Sequence, residues 1–180
     1  FHLERHVGQH VGHHWQVGQR LAEAAPRAGV GEGQRERLAH RLLGKLTDSL
    51  IAHLTGQAKA GAQALQLFDS WVGILSAEDY AVFGAPYVEK VLTALRPLGV
   101  PLIYFPLGGL ALLPQVGKLS ADVISVDWRQ PLSMAQHMLA STQGLQGNLE
   151  PLLLLGPLAQ LEQRVQQVLL DAPRRRYIFN

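Results

Sequence analysis

Three polar clusters stand where short apolar runs end, and their residue types are those that hold ligands. Asp69-Ser70 follows the run 64–68, Asp127-Trp128-Arg129 follows 122–126, and Asn148 lies near the end of 143–149. Carboxylate, hydroxyl, guanidinium and amide groups at the C-terminal ends of parallel strands fit a binding cleft, because that is where βα sheets place ligands. Each also has a structural reading. Ser70 could satisfy local backbone N–H groups at a strand-to-loop turn. Asp127 and Arg129 could form a pocket pair, a buried salt bridge or a helix cap, and Asn148 could be an amide that pins a neighbouring loop.

A second set of chemistry-bearing residues is histidine. Six of the eight histidines fall within residues 1–40, and His2, His6, His10 and His14 recur every four residues. On a helix that spacing stacks imidazoles on one face, an arrangement able to hold zinc or nickel. Gly8, Gly12 and Gly18 work against the helix. Residues 1–40 therefore read as an atypical His- and Gly-rich segment, loosely ordered or foreign to the domain of residues 41–180.

The elements that position the clusters follow from periodicity. Leu43, Leu46, Leu50, Leu54 and Ala58 form a helical stripe stopped at Gly61. Residues 64–68 read as a strand. Ser76 with Asp79 three residues on opens the next helix, which Pro86 splits and Pro97 with Gly99 end. Strands at 101–105, 122–126 and 143–149 alternate with helices near 110–119, 132–139 and 158–170, and residues 177–180 begin a fifth strand. That alternation predicts βα units and a parallel α/β sheet. Gly108-Gly109 offers backbone N–H groups to an anion or, more simply, makes a tight turn.

Composition narrows the class. The 180 residues are 47% hydrophobic and 17% charged, an ordinary globular balance. The net charge is +2, with basic residues scattered except at Arg174-Arg175-Arg176, too short for a nucleic-acid stripe and read as a solvated loop. With no cysteine, a disulfide framework and a thiolate metal site are excluded. No apolar run reaches the ~18 residues of a membrane span, and a cytoplasmic location is the expectation.

Several motifs together resemble the uroporphyrinogen decarboxylase family: AGAQALQLFDSWVGILSAEDY at 60–80, PYV at 86–88, GVPLIYF at 99–105, ADVISVDWR at 121–129, LQGNLEP at 145–151 and YIFN at 177–180. The resemblance runs from Leu42 to Asn180. It implies a partial (β/α)8 TIM barrel holding about the last five parallel strands. It also implies an enzyme that converts the four acetate arms of uroporphyrinogen III to give coproporphyrinogen III in haem biosynthesis, without metal or organic cofactor. In that family the pyrroles act as electron sink, an aspartate gathers their N–H groups, and arginines hold the acetate and propionate carboxylates. A homodimer is common.

Carried over by motif, Ser70 alone matches a family site residue, the substrate-contacting serine; Asp127 and Asn148 stand beside it as strand-end candidates, and Asp69 is not the pyrrole-binding aspartate. That aspartate and the final LGHG histidine have no counterpart here, so the chain alone is expected to be inactive. Glu150 replaces the family's Asp after Asn-Leu, and Pro106-Leu107-Gly108-Gly109 replaces a more polar stretch. Two other readings remain: a corrinoid-linked methyltransferase of the same barrel superfamily, and a non-catalytic module binding metal through its histidine-rich start.

Overall fold

The computed structural model describes residues 31–180, so the histidine series His2 to His14 and most of the proposed N-terminal segment lie outside the described residues. Helix α1 (Glu32–Lys59) leads into strand β1 (Leu65–Asp69). After a 3-10 turn at Val72–Ile74 come α2 (Ala77–Phe83) and α3 (Ala85–Leu95), then a second 3-10 turn and β2 (Leu102–Pro106). A third turn, Leu110–Leu112, runs into the four-residue α4 (Leu113–Val116), followed by β3 (Val123–Ser125), α5 (Leu132–Met138) and β4 (Gly144–Gly147). The 3-10 segment Pro151–Leu155, α6 (Leu158–Asp171) and β5 (Tyr177–Phe179) complete the order.

All five strands lie in one sheet, ordered β1-β2-β3-β4-β5, and every pairing is parallel. This is the βα alternation expected from the sequence, an α/β fold forming part of a (β/α)8 barrel. Among the described residues, β1 and β5 are each paired on one side only.

The local chemistry accounts for the boundaries. In α1, Leu43 and Leu54 are buried while Leu46, Leu50 and Ala58 are half-buried, so the predicted stripe is the packed face. The helix begins about ten residues before that stripe. Gly61 lies beyond its end at φ 101°, a left-handed conformation open to glycine. The Ser76 hydroxyl accepts the Asp79 backbone N–H at 3.0 Å and caps α2. The split between α2 and α3 falls at Gly84, where an added Cβ would lie 2.3 Å from the buried Tyr80 ring. Pro86 occupies the first turn of α3, where its missing N–H costs nothing. The helix expected over 110–119 is shorter than its sequence pattern. Pro114 sits in its first turn, and Gly117, whose Cβ would lie 2.8 Å from the Met138 carbonyl oxygen, ends it against the next unit.

The two faces of the sheet differ. Leu65, Leu67, Tyr104, Ile124, Leu145 and Tyr177 pack toward the helices in one hydrophobic core with Val88, Val91, Leu92 and Leu95. Gln66, Phe68, Ile103, Phe105, Ser125 and Gln146 occupy the alternate positions. On that opposite face Phe68 meets Phe105 edge-on, with centroids 5.9 Å apart. No helix of the described residues is long and apolar enough to cross a membrane.

Candidate functional site

Parallel pairing brings the polar strand tips to one end of the sheet. Ser70, half-buried one residue beyond β1, lines an open cavity of ≈ 580 Å³ together with Trp71, Ile74, Leu107, Gly108 and Arg129. Three consecutive strands therefore contribute to one mouth: β1 through Ser70 and Trp71, β2 through Leu107 and Gly108, β3 through Arg129. Gly73 keeps two of these walls together, because a Cβ there would meet the Leu107 carbonyl oxygen at 2.7 Å. A larger residue would push the first two loops apart.

Asp127 stands behind the wall. Its carboxylate accepts the Gly108 backbone N–H at 2.6 Å, the Arg129 backbone N–H at 2.9 Å and Arg129 Nη1 at 3.0 Å. It is 3% exposed, against 54% for Arg129, so the pair has one buried and one solvent-facing member. The Arg129 guanidinium also lies over the Trp128 ring, 4.4 Å from its centroid. Gly108, at φ 72°, donates to the chain's own carboxylate, and the Gly109 N–H closes a turn on the Pro106 carbonyl at 3.1 Å. The glycine pair makes a turn whose free amide is already committed.

Asn148 is buried. Its side-chain amide nitrogen donates to the Asp127 carbonyl at 3.0 Å and to the Gln130 carbonyl at 2.6 Å. Both amide hydrogens are spent holding the loop after β3 onto the end of β4. Ser70 and Arg129 thus face the cavity, whereas Asp127 and Asn148 fix the backbone that presents Arg129. Glu150 makes no side-chain cap to the 3-10 segment that follows it, consistent with the weak capping ability of Glu.

Asp69, adjacent to Ser70, faces the other way. Tyr80 donates to the Tyr104 hydroxyl at 3.3 Å, and Tyr104 donates to Asp69 Oδ2 at 3.1 Å, a chain running into the helix layer. Burial pushes Asp69 up to about 6, against the opposing pull of the Tyr104 hydroxyl and the Trp71 and Val72 backbone N–H groups. Burial likewise raises both tyrosines above their ordinary range. By its motif Asp69 is not the family's pyrrole-binding aspartate; a carboxylate ending an otherwise apolar strand is the one sequence signal of this buried group. Nothing at the level of sequence marks Gly73, or Gln146, whose Nε2 donates to Gln66 Oε1 across the sheet at 3.3 Å. Among the described residues, no three His, Cys, Asp or Glu side chains converge as a metal site.

A parallel βα sheet that brings Ser70 and Arg129 to one mouth is a piece of a (β/α)8 barrel. In fold, it superposes on a solved structure from Listeria monocytogenes described as a vitamin-B12-independent methionine synthase, with a TM-score of 0.56 over 78% of this chain and 48% of that one, at 13% identity. Residues 33–180 match the uroporphyrinogen decarboxylase (URO-D) family model, and the chain belongs to that family. Curated relatives named uroporphyrinogen decarboxylase include those of Thermus thermophilus, 42% identical over 81% of this chain, and Syntrophotalea carbinolica, 44% identical over 78%. A third, from Myxococcus xanthus, is 42% identical over 82%. These matches cover 42%, 41% and 42% of the respective relatives, so the chain spans about two fifths of their length.

Proposed function

We propose that this chain forms the C-terminal wall of a uroporphyrinogen decarboxylase cleft, with Ser70 as a substrate contact. The reaction replaces each acetate carboxyl group on the four pyrroles by a proton, releasing carbon dioxide and leaving methyl groups, so that uroporphyrinogen III becomes coproporphyrinogen III. The single observation carrying the reading is the position of the family-matched Ser70, whose motif ends β1 and lines a mouth shared with the next two strands.

The residues present fit binding and orientation. Ser70 offers a hydroxyl that can donate to a carboxylate or accept a pyrrole N–H. Trp71, Ile74 and Leu107 give an apolar wall for a large heterocycle. The charge that gathers the pyrrole nitrogens is to come from the family's aspartate, which has no counterpart in these motifs. Preorganised charge is the expected main source of rate in such a cleft, so this wall alone is to bind without turning over. The working enzyme is a cytoplasmic homodimer in this proposal, needing no metal or organic cofactor.

The test is titration of the purified 180-residue chain with uroporphyrin, the stable oxidised analogue, followed by tryptophan fluorescence. Saturable binding weakened by Ser70→Ala supports the reading. Binding unaffected by that substitution overturns the role of Ser70. Coproporphyrinogen formation by the chain alone, at a rate near that of a family enzyme, overturns the expectation of inactivity.

A further inference from the structure

We infer that Arg129 forms a carboxylate subsite in the mouth, its outer guanidinium edge holding one acidic arm of a ligand whose body lies against the Trp71–Leu107 wall. The inference rests on the porphyrinogen reading only for the identity of that ligand; the subsite follows from the geometry of this chain.

Three features make the side chain a built binding group. Its head is oriented twice, by the Asp127 carboxylate at 3.0 Å and by the Trp128 ring beneath it at 4.4 Å. Little rotamer entropy remains to be lost when a ligand arrives. Second, only one of its five N–H donors is used, since the bond from Nη1 to Asp127 is the guanidinium's one hydrogen bond among the described residues. The remaining donors can offer a carboxylate the two parallel bonds of a fork.

The third feature is the way Asp127 is neutralised. Its carboxylate also takes two backbone N–H groups, from Gly108 and Arg129. The buried negative charge is therefore shared with peptide dipoles and does not consume the whole cation. Arg129 stays 54% exposed and lines the same cavity as the Ser70 hydroxyl. A cation and a hydroxyl set in a largely apolar wall select a bulky apolar ligand carrying carboxylates. Asp127 and Asn148 act through Arg129 and are positioning residues.

The experiment uses the full 180-residue chain with Arg129→Gln and Arg129→Lys, each checked for native circular dichroism. Two probes are titrated: uroporphyrin, with eight carboxylates on a large ring, and mellitate, with six on a small one. The expected result is roughly tenfold weaker binding of the carboxylate probe in Arg129→Gln, as for loss of one charge-assisted pair. Arg129→Lys should recover part of it by keeping the charge without the fork. Equal affinity of wild type and Arg129→Gln for both probes overturns the subsite. If wild type binds neither probe, it is overturned as well. Uroporphyrin binding that depends on Ser70 but not on Arg129 removes the subsite and leaves the porphyrinogen reading standing. Mellitate binding that depends on Arg129, without any uroporphyrin binding, keeps the subsite and removes that reading.

Discussion

Gln66 on β1 and Gln146 on β4 are separated by two intervening strands, yet Gln146 Nε2 donates to Gln66 Oε1 at 3.3 Å. In a flat sheet those strands would stand about 14 Å apart, three times the ~4.8 Å strand spacing. Two extended glutamines barely bridge that distance. The sheet must curl toward this face, and the amide pair reads its curvature directly. Gln146 also reaches Ser125 Oγ at 3.2 Å, so β1, β3 and β4 are tied by one polar cluster on the concave side.

Replacing Gln146 by Leu should therefore cost about 1–3 kcal/mol, the penalty for leaving buried hydrogen-bonding groups without partners. Urea denaturation of the single variants and of the Gln66→Leu/Gln146→Leu double variant measures it. The double variant should be less destabilised than the sum of the singles, because the pair is removed together. Strict additivity would mean that the contact carries no energy.

Asp69 predicts a pH dependence. Its folded value of about 6 lies above the ordinary 3.8, so the folded chain holds that proton more tightly than the unfolded one. The resulting stabilisation is fully present below the unfolded value and is lost as pH rises from about 4 to about 6. Relative to Asp69→Asn, which cannot ionise, wild type should lose about 1–2 kcal/mol across that window. Chemical denaturation of both proteins at pH 4.5 and 7.0 provides the comparison; parallel profiles would remove Asp69 as the titrating group.

Asn148→Ala and Ser70→Ala should separate architecture from binding. The first strips two donors from the carbonyls of Asp127 and Gln130 and should destabilise the chain by about 1–3 kcal/mol. The second removes a hydroxyl at a solvent-facing cavity and should leave stability within about 0.5 kcal/mol, while weakening uroporphyrin binding. Thermal melts and fluorescence titrations of both variants give the two readouts. A destabilised Ser70→Ala would return Ser70 to a turn-holding role.

Gly73→Ala tests how closely the first two loops must approach. Its Cβ would meet backbone atoms of Leu107 and Gly108 at 2.7 to 2.8 Å, and backbone cannot step aside as a flexible side-chain end can. A loss of about 1–3 kcal/mol is expected from such overpacking, with a parallel loss of binding at the mouth. Urea denaturation and uroporphyrin titration of this variant check both effects.

Much of the architecture is legible in the chain because its parallel strands read as short apolar runs alternating with helical patterns. Ser76 with Asp79 announces a capped start, and Pro86 announces a broken helix. Strand tips are legible for the same reason: polarity returns where burial ends. What escapes is anything set by long-range geometry. Gln66 and Gln146 are 80 residues apart, and no local pattern links them. Asp69 and Ser70 are neighbours whose side chains part to opposite sides, one into the helix layer and one toward the cavity. The shortening of α4 depends on the close approach of Gly117 to Met138, which only packing reveals. Arg129 looks like half of an ion pair; its remaining donors become visible only once the acceptors of Asp127 are counted.

The one-sided pairing of β1 and β5 bears on handling as well as on shape. Among the described residues, neither outer margin is paired with a further strand. Phe68 at one margin and Phe179 at the other add half-open aromatic surface, 39% and 42% exposed. Such borders recruit further strands from any neighbouring polypeptide. Wherever no further strand covers them, these margins would favour self-association that grows with protein concentration, which sedimentation across a dilution series would read.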